Sequence, residues 1–303
     1  MLTIVIPVYN QASYLDDALN GIANQIDKNF QLIVSDNCST DHIDAVIEKH
    51  NNLEIEYHKE VDFLDKTSNW NRTVNYCKTE YTMMHHSDDI LMPEAVSCIN
   101  KSILSNKNID LFHNKHIPML SDGERLKKPA LSFCFKYKQK KNENIMSIIC
   151  PISIVGVTFR TSVFHKINGF NNKYQLMQDW YFYVKFLQSD ATTMFTDEYV
   201  GYWRTDRSDR DGDNLNNIET ISILSELNKE NKSWLKGINI RVMIYKHSNF
   251  YKENPDLKKE YDNNIKKIEL KELYISNKLI FYIYNSLIRV YIFFRKVKFT
   301  IFN

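Results

Sequence analysis

Ser35-Asp36-Asn37-Cys38-Ser39-Thr40-Asp41, directly after the run Phe30-Gln31-Leu32-Ile33-Val34, is the stretch whose reading decides the fold. It predicts a buried strand that delivers a carboxylate at its carboxyl end. A second stretch, about fifty residues on, repeats the plan: Tyr81 to His85 leads into His86-Ser87-Asp88-Asp89. In an open α/β sheet, ligands bind outside the carboxyl ends of the strands. A carboxylate there loses hydration at a cost unless it meets a metal, a nucleotide or a helix cap. Two such ends so close in sequence point to a metal–nucleotide site.

Outward from these stretches, strand and helix patterns alternate. Leu2 to Val8 is a continuous apolar run, as in a strand buried on both faces. Ser13 reads as the N-cap of a helix reaching about Ile26, and Asp41 as the cap of a helix reaching His50. Leu53 to His58 predicts a third strand, Trp70 to Cys77 a helix, and Pro93 the first turn of another, capped by Asp88 or Asp89. This order implies right-handed crossovers and a mostly parallel α/β sheet flanked by helices. Residues 111–150 are less regular. Beyond them come a strand over Ile152–Phe159, a turn at Gly169-Phe170, a helix over Trp180–Leu187 and an extended segment over Thr192–Trp203. From about Asn214 the pattern is helical. The expected division is a catalytic domain over 1–213, with halves 1–110 and 111–213, and a helical region over 214–303.

Composition narrows the function classes. Among 303 residues, a net charge of +2 gives no global reason to expect a nucleic-acid partner. Five scattered cysteines with no C-x-x-C pair read as reduced thiols of a cytoplasmic protein. Neither G-x-G-x-x-G nor G-x-x-x-x-G-K-[ST] occurs, which argues against a dinucleotide fold and a P-loop. After Glu272 no acidic side chain follows, while Lys278, Arg289, Arg295, Lys296 and Lys298 alternate with apolar and aromatic clusters. Between Lys278 and Arg289 lie 10 uncharged residues, against roughly 20 needed to span a bilayer. An interfacial helix on an anionic membrane surface fits this tail, as does a helix packed on the catalytic domain.

Each site residue also has a bland reading. Asp36 sits in good turn chemistry, both aspartates of Asp88-Asp89 could cap the next helix, and Asp179 could cap the helix of Trp180. The ordered set of motifs is more specific than any one of them. Thr3-Ile4-Val5-Ile6-Pro7-Val8-Tyr9-Asn10, Ser35 to Asp41, Asn71-Arg72, His86 to Pro93, Phe159-Arg160, Gly169-Phe170, Gln178-Asp179-Trp180 and Tyr202-Trp203-Arg204 resemble glycosyltransferase family 2 of the GT-A fold, over residues 2–206.

The resemblance implies a nucleotide pocket lined by Pro7 and Tyr9, with Asp36 reading the base, uracil in many members. It implies that Asn71 and Ser87 help hold the donor and that Arg204 approaches its phosphates. Asp88 would bind a divalent metal, Mn²⁺ or Mg²⁺, and Asp179 would be the general base. Two positions depart from the family pattern. His86 stands where the first acid of D-x-D is expected, either as a softer metal ligand or as a histidine supporting the site. Asp206 stands where a histidine is often found. The expected activity is inverting transfer of a sugar from a nucleotide-sugar, with UDP the expected nucleotide, to a glycan or lipid-linked saccharide. The setting would be bacterial surface polysaccharide synthesis, on the inner face of the cell membrane. The rivals are an impaired nucleotide-sugar-binding or scaffolding protein, and a sugar nucleotidyltransferase. The second would need a Gly- and Lys/Arg-rich loop after the first strand, where this chain has Pro7-Val8-Tyr9-Asn10-Gln11.

Overall fold

The computed structural model describes residues 1–126, 152, 155–205, 219, 220, 222, 223 and 226. The chain divides into two units, Met1–Asp211 and Gly212–Asn303. Apart from 219, 220, 222, 223 and 226, the expected helical region lies outside the described residues, as do the basic tail, Asp206 and residues 127–150.

Apolar runs become the central strands. β1 (Leu2–Val8), β2 (Phe30–Asp36), β3 (Ile55–Lys59) and β4 (Tyr81–Met84) pair in parallel in the spatial order β3-β2-β1-β4. β1 is buried along its whole length, as a strand with helices on both faces must be. Val8 pairs with Asp36, so the loops after β1 and β2 emerge side by side. α1 (Ala12–Ala23), α2 (Ile43–Lys49), α3 (Lys66–Asn75) and α4 (Ala95–Ser105) supply the crossovers and the flanking layers. Leu15, Leu19 and Ile22 of α1 and Val96 and Ile99 of α4 pack with Ile4, Ile6 and Met83 in the core.

Beyond β4 the sheet changes direction. β5 (Ile90–Leu91), β6 (Leu111–Met119), β7 (Thr158–Arg160) and β8 (Thr193–Arg204) complete the order β4-β7-β6-β8-β5. β7 runs antiparallel to β4 and β6, while β8 runs parallel to β6 and antiparallel to β5. α5 (Thr161–Lys166) and α6 (Gln178–Gln188) follow β7.

Several expected boundaries move, with identifiable causes. Ser13 does not cap α1. The Ala12 N–H is bound instead by Asp41 Oδ2 at 2.7 Å, from 29 residues away. Asp41 therefore serves α1 rather than α2, whose N-cap position is His42 in the left-handed region at φ 65°. α3 starts earlier than expected because Asp65 caps it, its carboxylate accepting the Ser68 N–H at 3.0 Å. Neither Asp88 nor Asp89 caps α4, whose N-cap position is Glu94.

Candidate active site

The first strand end is built from two interlocked loops. Asn10, with φ 50°, donates its backbone N–H to Ser39 Oγ at 2.9 Å, and its side-chain oxygen accepts the Thr40 N–H at 2.8 Å. Asp36 is 1% exposed. Its Oδ1 accepts the Ser39 N–H at 2.9 Å, and its Oδ2 lies 3.2 Å from the Tyr57 hydroxyl. That hydroxyl is closer to Asp44 Oδ1, at 2.9 Å, and it has one proton to give. Burial together with the two acids pushes the Tyr57 phenol well above its usual range, so it stays a donor.

Above Asp36 stands an aromatic corner. Tyr9 after β1 and Phe63 after β3 flank the end of β2, their ring centroids 5.0 Å apart and tilted by 59°. They are 44% and 58% exposed, an unusual outlay of apolar surface beside a buried acid. Pro7 is buried in β1 opposite Ser35.

The second strand end gathers His86, Asp88 and Asp89. One ligand atom from each lies within 4.8 Å of the others. Ligands about 2.1 Å from one cation stand roughly 3–4 Å apart, so small rotations would close the set. Two carboxylates and an imidazole suit Mn²⁺ better than all-oxygen Mg²⁺, so these residues fit the expected metal. Both acids are buried, and the Trp70 ring lies 4.7 Å from the His86 ring. Ser87 Oγ donates to Gln11 Oε1 of the loop before α1. Behind them, burial pushes the His85 imidazole down to about 4, which keeps it neutral; the charge of Asp88 only partly opposes this.

α3 ties these ends to a third region. Arg72 donates from Nη2 to Asn37 Oδ1 at 2.8 Å and from Nη1 to the Asp62 carbonyl at 3.0 Å, so it braces the loops around Asp36. Its neighbour Asn71 faces the other way. The Asn71 Nδ2 donates to the Phe170 carbonyl at 2.8 Å and its Oδ1 accepts the Phe170 N–H at 2.9 Å. One turn earlier, Thr67 Oγ1 donates to the Tyr174 carbonyl at 2.6 Å. The segment so held leads into α6, where Asp179 stands half-buried in the first turn. Its Oδ1 accepts the Trp180 N–H at 2.7 Å.

The profile of Glycosyl transferase family 2 matches residues 3–167, more than half of the chain. This chain belongs to that family. It is 22% identical to an uncharacterized glycosyltransferase of Haemophilus influenzae over 199 residues, 64% of this chain and 65% of that one. It is 28% identical to the abequosyltransferase RfbV of Salmonella typhimurium over 120 residues, 38% of this chain and 36% of that one. The chain thus spans less than two thirds of the length of these relatives. Among solved structures, that of S. aureus TarS 1-349 in complex with UDP-GlcNAc superposes with a TM-score of 0.67 at 17% identity, covering 88% of this chain and 81% of that one. That likeness establishes the GT-A type of α/β fold.

Within the family frame, two residues of the expected set take partners inside the protein. Asn71 spends its amide on the Phe170 backbone. Arg204, expected at the donor phosphates, is 1% exposed and turned into the protein. Two residues escaped the sequence reading, Tyr57 and Phe63, and Arg72 was quoted in a motif without its bracing role. Phe63 had a legible signal, since Val61-Asp62-Phe63-Leu64 puts apolar residues in a loop after a strand.

Proposed function

We propose that this family 2 chain is an inverting, metal-dependent glycosyltransferase that takes its sugar from a nucleotide-sugar, with a UDP-sugar as the donor. The observation that carries this reading is the pairing of two acidic strand ends on β2 and β4, either side of β1, with α3 tying both to the segment before Asp179. Asp36 would accept an N–H of the base, under the Tyr9–Phe63 corner. His86, Asp88 and Asp89 would hold a divalent cation, Mn²⁺ in preference. When bound, that cation would supply Lewis-acid stabilisation of the departing diphosphate.

The rest of the chemistry falls to the chain. The carboxylate of Asp179 takes the proton from the acceptor hydroxyl as its oxygen attacks the anomeric carbon. The carbon–oxygen bond to the diphosphate breaks in the same displacement, and its electron pair leaves with the nucleotide. One displacement inverts the anomeric centre; retention would need a second carboxylate as nucleophile. Trp180 beside the base offers an apolar wall against water.

The acceptor we propose is a glycan or lipid-linked saccharide of a bacterial surface polymer. The chain would work at the inner face of the membrane through its basic, aromatic tail. Among the described residues no helix is long and apolar enough to cross a membrane. The support for surface contact is the run of Lys and Arg without acids after Glu272.

Calorimetric titration of UDP with Mn²⁺, and again with chelator, tests the reading. The expected result is metal-dependent binding that weakens in Asp36→Ala and Asp88→Ala. In Asp179→Asn, UDP binding should persist while transfer falls by about 10²- to 10⁴-fold. Absence of UDP binding in both conditions would overturn the donor assignment. Transfer retained by Asp179→Asn would overturn the base.

A further inference from the structure

Arg204, the last residue of β8, reaches the Asp88-Asp89 turn, the loop after β6 and α1. Its backbone N–H donates to Asp89 Oδ1 at 3.0 Å, and its Nε donates to the Asp88 carbonyl at 2.9 Å. Nη1 donates to the Ser121 carbonyl at 2.6 Å and the Leu120 carbonyl at 3.3 Å, and Nη2 to Asp17 Oδ2 of α1 at 3.1 Å. The guanidinium lies 4.7 Å from the centre of the Tyr14 ring.

Burying a guanidinium is costly unless its donors are met, and here the planar fork meets carbonyls from two loops and a carboxylate from a helix. The bonds act on the acids selectively. Asp89 is held by one oxygen, Oδ1, while its Oδ2 lies 4.0 Å from His86 Nδ1. Asp88 is held at its backbone carbonyl, so the guanidinium braces the turn without touching the Asp88 carboxylate. A lysine in this place could not reach Asp88, Ser121 and Asp17 together with fixed geometry.

We propose that Arg204 is a positioning residue. It fixes the Asp88-Asp89 turn in the conformation that binds the cation, and does so from behind rather than by meeting the donor phosphates. The inference rests on the metal part of the proposed function. Groups that orient metal ligands in this way are typically worth roughly 10- to 100-fold in metal affinity.

The test is Mn²⁺ binding to the full chain, followed by the paramagnetic signal of free Mn²⁺, with no donor present. Arg204→Lys and Arg204→Met should each weaken Mn²⁺ by roughly 10- to 100-fold, while binding of uridine, which carries no phosphate, stays unchanged. Should these variants fail to fold, Asp17→Asn with Tyr14→Leu loosens the guanidinium without emptying its site. That pair should weaken Mn²⁺ by about 3-fold or more. Folded variants that bind Mn²⁺ like the unaltered chain would overturn the inference and leave the proposed function standing. An unaltered chain that takes up no Mn²⁺ would overturn both.

Discussion

The two acidic strand ends occupy equivalent places on the parallel strands of one sheet and are braced from different sides. At the β2 end, Asp36 is gripped by its own carboxylate: Ser39 N–H on one oxygen, Tyr57 hydroxyl near the other. At the β4 end, the acids are held largely from behind, Asp88 by its carbonyl and Asp89 by a single oxygen. A carboxylate already oriented by the Ser39 N–H can accept a further N–H in a fixed direction, which suits the reading of a flat base. The Asp88-Asp89 turn is braced through one backbone carbonyl and one carboxylate oxygen, and a cation would draw on several of its oxygens at once. Under the proposed function, the same topological position would serve as a base reader at one end and a metal holder at the other, according to which atoms the protein spends on support.

The largest effect should come from crossing the two ends. In Asp88→Asn, transfer should fall by about 10³-fold, corresponding to roughly 4 kcal/mol of lost charge stabilisation, with uridine binding intact. Asp36→Asn should instead weaken uridine and UDP by roughly 10- to 100-fold, since one charged hydrogen bond is at stake, while Mn²⁺ binding without nucleotide is unchanged. Calorimetry with uridine and with Mn²⁺ separately reads both. If each variant damaged both ligands equally, the division of labour would collapse.

A smaller effect should separate the third region from both ends. Asn71 holds the Phe170 backbone at two points, and Gly169 lies under it with φ +62°, where an added Cβ would stand 2.6 Å from Asn71 Oδ1. Asn71→Ala should therefore lower kcat by about 10-fold, the scale of two lost hydrogen bonds, through misplacement of Asp179. Donor affinity should hold. Gly169→Ala should act in the same direction, because it combines a close approach with a backbone conformation costly for alanine. Steady-state kinetics that showed a raised donor KM at constant kcat would return Asn71 to the donor.

How much of this was legible follows from the kind of signal each part leaves. β1, β2 and β4 are apolar runs buried on both faces, and periodicity finds them within a residue or two. β6, Leu-Phe-His-Asn-Lys-His-Ile-Pro-Met, is a nine-residue strand written partly in polar residues, and β5 has only two residues, too short to hold a pattern. Both depend on pairing with β8, which no local window contains. Asp36, Asp88 and Asp179 could be named from sequence because strand ends and motif order fix where acids fall. Asn71 and Arg204 could be named too, but their partners within the protein could not, because motif order says nothing of which way an amide or a guanidinium turns. Phe63 went unnamed because its meaning depends on Tyr9, 54 positions away across the top of β2.

That pair supplies the finest test of the comparison. If the β2 end reads a base, the ring needs a face to lie on, and Tyr9 and Phe63 form the only aromatic corner paired across that strand end among the described residues. Stacking a base on an aromatic side chain contributes about 1–3 kcal/mol where the ring is fully engaged. Phe63 is more than half exposed and shares the contact with Tyr9, so Phe63→Ala should lie at the low end, about 5-fold weaker UDP binding. Its exposure also means that the fold should be indifferent, with an unchanged melting temperature. The informative control is pyrophosphate with Mn²⁺, which has phosphates and no base. Phe63→Ala should leave pyrophosphate binding alone and narrow the preference for UDP over it. Equal losses for both ligands would place Phe63 at the β4 end's business and erase the distinction between the two acids; a loss confined to UDP would extend the base-reading end to include the loop after β3.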